Sequence, residues 1–198
     1  MQLPISIRIA LFSLAPALAA AAAGAAGPSV GEPAPALELS DESGAVHALS
    51  DYAGKLVVLE WTNPGCPFVQ RHYRSDTMEQ LSRAYPDSEL VWLAVNSTHD
   101  NTPADTRKWK AEQGFDYPTL QDPKGTVGRA YAARTTPHMF VIDPRGTLVY
   151  QGAIDDDPHG RSDAPVNYVQ NALAALRQKG TPDPSQTEPY GCSVKYAR

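Results

Sequence analysis

Two short runs, Leu56–Trp61 (LVVLEW) and Leu90–Val95 (LVWLAV), constrain the fold of this chain more than any other feature. Each is apolar almost without a break. A strand with one wet face alternates; a run that does not alternate is buried on both faces. Between the two lies Cys66–Tyr85, where Val69, Tyr73, Leu81 and Tyr85 recur at multiples of four and predict a helix. Pro67 suits its first turn, because the missing N–H has no partner to lose there. Strand, helix, strand is the order of a parallel pair with a crossover.

The flanking sequence extends this unit. Ala36–Leu39 and Val46–Leu49 surround the turn cluster SDESGA and predict an N-terminal hairpin. Ala104–Gln113 reads as a helix ended by Gly114, Pro118–Leu120 as a short strand and Thr126–Ala133 as a short helix. Met139–Asp143 and Leu148–Gly152 form a second hairpin about Pro144-Arg145-Gly146. Pro165–Lys179 reads as a helix, with Val166, Val169, Leu173 and Leu176 at heptad-like spacing and Gly180 closing it. The expectation is an α/β protein: a mixed central sheet with helices on both faces, in one domain over residues 30–180. The tail, 181–198, is Pro-rich and irregular, yet it carries Cys192.

Of the 198 residues 42% are hydrophobic, enough for a core. The net charge of −5, with no basic stripe, excludes a nucleic-acid surface. Residues 1–26 place Arg8 before an apolar run that dissolves into alanines, the pattern of a cleaved signal peptide. The competing reading, a membrane anchor, is weakened by Pro16. The mature chain is then exported, to the periplasm of a Gram-negative source, with no membrane attachment after cleavage. That compartment permits disulfides. Two cysteines are too few for a thiolate zinc site, and Asp155-Asp156-Asp157-Pro158-His159 reads as a solvated loop, so no metal is expected. No phosphate-cradling Gly loop occurs, and no cofactor is implied.

Cys66 stands where LVVLEW gives way, through Asn63-Pro64-Gly65, to the predicted helix. A cysteine there meets unpaired N–H groups and the positive end of the helix dipole. Both favour the thiolate, which is the nucleophile. Arg71, His72 and Arg74 on the same segment add positive charge. The competing reading is an inert buried thiol, the commoner fate of a lone cysteine.

VVLEWTNPGCPFVQRHY is similar to the active-site strand–turn–helix of thioredoxin-fold proteins. YPTLQDPKGTVGRAYAARTTPHMFVIDPRGTLVYQGAIDD and PYGCSVKY resemble the second half and tail of peroxiredoxin-like members of the alkyl hydroperoxide reductase/thiol-specific antioxidant (redoxin) superfamily. The resemblance implies a thioredoxin-like fold, with Cys66 as the attacking cysteine and Pro67 beside it. The partner cysteine of a dithiol motif falls on Val69, so the motif is CPFV and a local redox disulfide is impossible. Glu60 matches a buried acid that relays a proton; the alternative is a solvated strand end. Thr136-Pro137 matches a cis-proline loop that faces the attacking cysteine and pairs with an extended substrate. Peroxiredoxins proper carry a Pro and a Thr or Ser where this chain has Leu59 and Asn63; Thr62 stands one place off. Arg134 is the candidate positive charge for the thiolate.

Cys192, 126 positions from Cys66, is the candidate resolving thiol. Closing so long a loop removes about 4–5 kcal/mol of entropy from the unfolded chain. The reading that results is an exported thiol oxidoreductase. Its substrate is a protein disulfide or a small peroxide, and Cys192 or an external thiol reductant resolves the product. The alternative is a non-catalytic peptide-binding or scaffold module, with Cys66–Cys192 as a permanent staple.

Overall fold

A computed structural model describes residues 27–198; the segment read as an export signal lies outside the described residues. Strands β1 (Glu38–Ser40) and β2 (Val46–Ala48) form the N-terminal hairpin. The central sheet uses β3 (Leu56–Trp61), β4 (Leu90–Asn96), β5 (Thr119–Gln121), β7 (His138–Ile142) and β8 (Leu148–Gly152), in the order β5-β4-β3-β7-β8. A two-residue strand, β6 (Thr135–Thr136), precedes β7. The pairs β3–β4 and β4–β5 are parallel, and β3–β7 and β7–β8 are antiparallel. The apolar run LVVLEW is the middle strand, and all six of its residues are buried, as its lack of alternation requires.

Side-chain parity along β3 divides the core in two. Leu56 and Val58 face a layer built by α1 (Pro67–Arg74), α2 (Thr77–Arg83), Trp109 of α3 (Pro103–Gln113) and α5 (Tyr168–Arg177). Val57, Leu59 and Trp61 face the other layer, made by α4 (Thr126–Ala130) and the N-terminal hairpin. This is a thioredoxin-like α/β fold with helices on both faces.

Two helix readings require correction. The segment Cys66–Tyr85 is broken: α1 stops at Arg74, and Asp76 takes the left-handed conformation (φ 54) before α2 begins. Ser75 Oγ donates to the carbonyls of Arg71 and His72, and this local bonding competes with the helix ladder. The helix predicted from Pro165 starts at Tyr168, because Asn167 caps it by accepting from Gln170 N at 2.9 Å. Val166 therefore lies outside the helix and is exposed.

Candidate active site

The chain leaves β3 at Trp61 and turns across the end of the sheet. Thr62 N donates to Val95 O (2.9 Å), holding one more residue in register. Asn63 then folds the turn: Cys66 N donates to Asn63 O at 2.9 Å and Gly65 N to Asn63 Oδ1 at 2.8 Å. Gln70 Nε2 donates to Pro64 O (2.8 Å) and closes the turn from the helix side. Cys66 is the N-cap of α1 and exposed Pro67 its first residue, so Sγ sits at the positive end of the helix.

Cys66 is 1% exposed. As a thiol it donates to Thr136 O at 3.0 Å. The Thr136–Pro137 peptide is cis and places that carbonyl against the sulfur. On the far side of Thr136 lies β9 (Cys192–Ser193). It pairs antiparallel with β6, in the register Thr135↔Ser193 and Thr136↔Cys192. The two cysteines, 126 positions apart in sequence, meet at Thr136, one through its sulfur and the other through strand pairing, and both are free.

The two thiols are driven in opposite directions. Burial pushes Cys66 up, but hydrogen bonds from the Cys192 thiol, Thr136 and the Val69 N–H outweigh it and hold the thiol below its ordinary value. Cys192 is pushed up to about 11, by burial first and then by its bond to Cys66 and the charge there. The arrangement favours carrying the thiolate on Cys66 and keeping the proton on Cys192.

Glu60 is fully buried on the α1 side of the sheet rather than at a wet strand end. Burial raises its carboxyl to about 7, against hydrogen bonds led by that from Trp92 Nε1 (3.0 Å) and that from Tyr73 Oη (3.1 Å). Tyr117 Oη donates to Tyr73 Oη at 2.8 Å, so the carboxyl ends a chain of hydroxyls. Thr62 is buried beside Glu60, and its Oγ1 makes no hydrogen bond of full geometry.

Arg134 requires correction. Its side chain is 60% exposed and pairs with Glu188 at 3.1 Å, and no hydrogen bond links it to Cys66. Arg134 stands just before β6, and its guanidinium turns outward to the tail residue Glu188 rather than to the sulfur. The acidic loop is exposed at Asp156 and His159, as expected of a solvated run, and departs from that expectation at its first residue. Asp155 is 6% exposed and accepts from Tyr190 Oη; the Asp157 carbonyl accepts from Arg71 Nη2 (2.8 Å). Among the described residues no cluster of three or more His, Cys, Asp or Glu is placed to hold a metal ion.

Sequence reasoning missed the tail's anchoring. Tyr190 Oη lies 3.0 Å from His72 Nε2 and accepts from Arg71 Nη2 at 3.1 Å. Its ring packs on Phe68 with centroids 6.0 Å apart. His72, buried against this group, is lowered to about 4, chiefly by burial, with Asp155 acting against it. Only the short PYG stretch signals this contact in the sequence, and it has no period to read.

The AhpC/TSA family model matches residues 30–151. The thiol-disulfide oxidoreductase ResA of Geobacillus thermodenitrificans is 31% identical over 120 residues, which are 61% of this chain and 67% of that protein. A solved structure of an uncharacterized conserved protein from Geobacillus kaustophilus superposes with a TM-score of 0.77 at 27% identity, covering 85% of this chain and 93% of that one. That share exceeds everything up to residue 151, so the likeness runs on into the C-terminal part. A hypothetical protein from Sinorhizobium meliloti shares the fold at a TM-score of 0.78 and 23% identity, covering 87% of this chain and 97% of that one. With the family match spanning more than half its length and its fold thioredoxin-like, the chain belongs to the AhpC/TSA family.

Proposed function

We propose that this chain is an exported, peroxiredoxin-like thiol oxidoreductase in which Cys66 attacks and Cys192 resolves. The observation that carries the reading is the pairing of a stabilised Cys66 thiolate with a Cys192 thiol held across Thr136. With a peroxide ROOH, the Cys66 thiolate attacks the outer oxygen, the O–O bond breaks, and ROH leaves after taking a proton. Cys66 is then a sulfenic acid. The Cys192 sulfur attacks it, forming the S–S bond and releasing water. With a disulfide RSSR′, the thiolate forms a mixed disulfide and one thiolate departs; Cys192 then displaces the other. Either way an external dithiol must reduce the Cys66–Cys192 bond.

Glu60 supports this chemistry as the buried group whose value lies nearest neutrality, the condition for moving a proton in either direction at that pH. Thr62 contributes a buried hydroxyl that is not committed elsewhere. Two free thiols support a bond that forms during turnover over a permanent staple. The ResA relative supports thiol–disulfide chemistry, and the export reading rests on residues 1–26 of the sequence. Among the described residues no helix is long and apolar enough to cross a membrane.

The test is reduced protein mixed with one equivalent of hydrogen peroxide, or of a model disulfide, followed by peptide mapping. The expected product is an intramolecular Cys66–Cys192 disulfide. Only sulfenic acid on Cys66, or only intermolecular bonds, would remove Cys192 from the resolving role. A Cys66 that reacts no faster than a free thiol at equal thiolate fraction would leave the binding-module reading standing.

A further inference from the structure

Strand β6 has two residues, and the partner it pairs with among the described residues is β9, from the chain's own tail. Thr136 O touches Cys66 Sγ, so whatever pairs with Thr136 stands beside the attacking sulfur. An extended peptide presenting an oxidised cysteine to Cys66 needs that same backbone edge, since its own N–H and C=O groups must be satisfied as they leave water. The edge is filled, and filled closely. Gly191 adopts φ +135, and a Cβ built there would lie 2.1 Å from Thr136 O. The tail is secured on both sides of this contact. Upstream, Tyr190 is bound by Arg71, His72 and Asp155. Downstream, Val194 N donates to Arg134 O at 3.1 Å, and Tyr196 packs on Arg129 and donates to Ala133 O.

We infer that residues 189–193 are a built-in occupant of the peptide edge beside Cys66, clasped by Tyr190, and that Cys66 therefore reacts with small peroxides in preference to cysteine-containing peptides while the clasp is closed. A peroxide brings no backbone to be paired, so it does not compete with the tail. A peptide disulfide must displace β9 and break the Tyr190 contacts first. The tail thus delivers the resolving sulfur and fixes the substrate class, with Tyr190 as a positioning residue acting through the tail rather than on substrate. This rests on the proposed role of Cys66 as attacking thiol.

The test uses the full described chain with Cys192→Ser, so that one reactive thiol remains and the tail stays. Two rates are measured at equal Cys66 thiolate fraction: sulfenic-acid formation with hydrogen peroxide, and thionitrobenzoate release from a synthetic extended peptide carrying a thionitrobenzoate mixed disulfide. In the release reaction Cys66 attacks the peptide sulfur, the S–S bond breaks and the aromatic thiolate leaves. Adding Tyr190→Phe should raise the peptide-to-peroxide rate ratio at least about tenfold, the change that loss of a hydrogen bond to a charged group produces. Gly191→Ala reaches the same end without touching the clasp, by pushing the tail off Thr136 O, and should raise the ratio too. Hydrogen exchange of the amides from Tyr190 to Val194 reports whether each variant loosened the tail. A ratio unchanged in both variants while those amides lose protection overturns the inference. Failure of Cys66 to react with either probe strikes instead at its role as attacking thiol, and with it the proposed function.

Discussion

The Cys66 segment reaches the site on the end of the central strand and the start of a helix; the Cys192 segment reaches it on two residues of strand in an irregular tail. Both end at Thr136, Cys66 through its sulfur and Cys192 through its backbone. The first is held by its own neighbours in sequence: the Asn63 turn, Pro67 and the helix N–H groups. The second is held by residues far away, Arg71, His72, Asp155 and Thr136. Their titration follows from this. The sulfur at the helix start collects donors and is held low; the sulfur in the tail is itself a donor and is held high, at about 11. The lesson is that a nucleophile can be prepared locally, whereas its partner is defined only by the closed chain.

The comparison breaks most directly at the nucleophile. Cys66→Ser should lower peroxide consumption by at least about a thousandfold, a loss of about 4 kcal/mol in barrier terms, in a steady-state assay with an external dithiol. Cys192→Ser should keep the first oxidation of Cys66 and lose only intramolecular disulfide formation. Equal loss in both would erase the division of roles.

Glu60 sharpens the same contrast, since it belongs to the locally built side. Its folded value of about 7 lies above the unfolded one, so the native state keeps a proton that the unfolded chain releases. Stability from this group therefore falls as pH rises from about 4.5 through 7, by about 3 kcal/mol in total. His72 and His138, lowered to about 4 and about 3 chiefly by burial, act in the opposite direction below pH 6.5. Urea unfolding of wild type and Glu60→Gln between pH 5 and 8 isolates the carboxyl by difference, since the other groups are common to both: wild type should lose stability relative to the variant as pH rises across that interval.

Smaller again is the link between the two sulfurs. Cys192→Ala removes a donor to the Cys66 thiolate and should raise its pKa, read by alkylation rate against pH. Cys192→Ser, which keeps a donor, should shift it less. The smallest effect is expected at Arg134. Its pair with Glu188 is exposed, and such pairs contribute about 0–1 kcal/mol, so Arg134→Ala should change the peroxide rate less than about twofold. A large loss there would restore the cation that the structure places at the surface.

What the sequence discloses divides along the same line. The unbroken LVVLEW and LVWLAV runs disclose the parallel pair, because double burial leaves a direct trace in residue type. The Asn-Pro-Gly turn, Cys66 and Pro67 disclose a helix start, because caps and turns are local chemistry. The break at Asp76 is hidden, since apolar spacing continues across it while the backbone does not. The burial of Asp155 and the seat of Tyr190 are hidden for another reason. A polar residue buried against partners from 35 to 119 positions away looks the same in sequence as one in water.

The register of Thr136 against Cys192 has a further consequence, which is kinetic. A sulfur held at its target acts as if present at an effective concentration far above the millimolar range of free thiols, because its translational freedom is already lost. On the proposed chemistry, a sulfenic acid formed on Cys66 would be captured before a second peroxide found it. Such a molecule should pass through repeated oxidation with little drift to the irreversible sulfinic acid. Its durability would come from two hydrogen-bonded residues near the end of the chain.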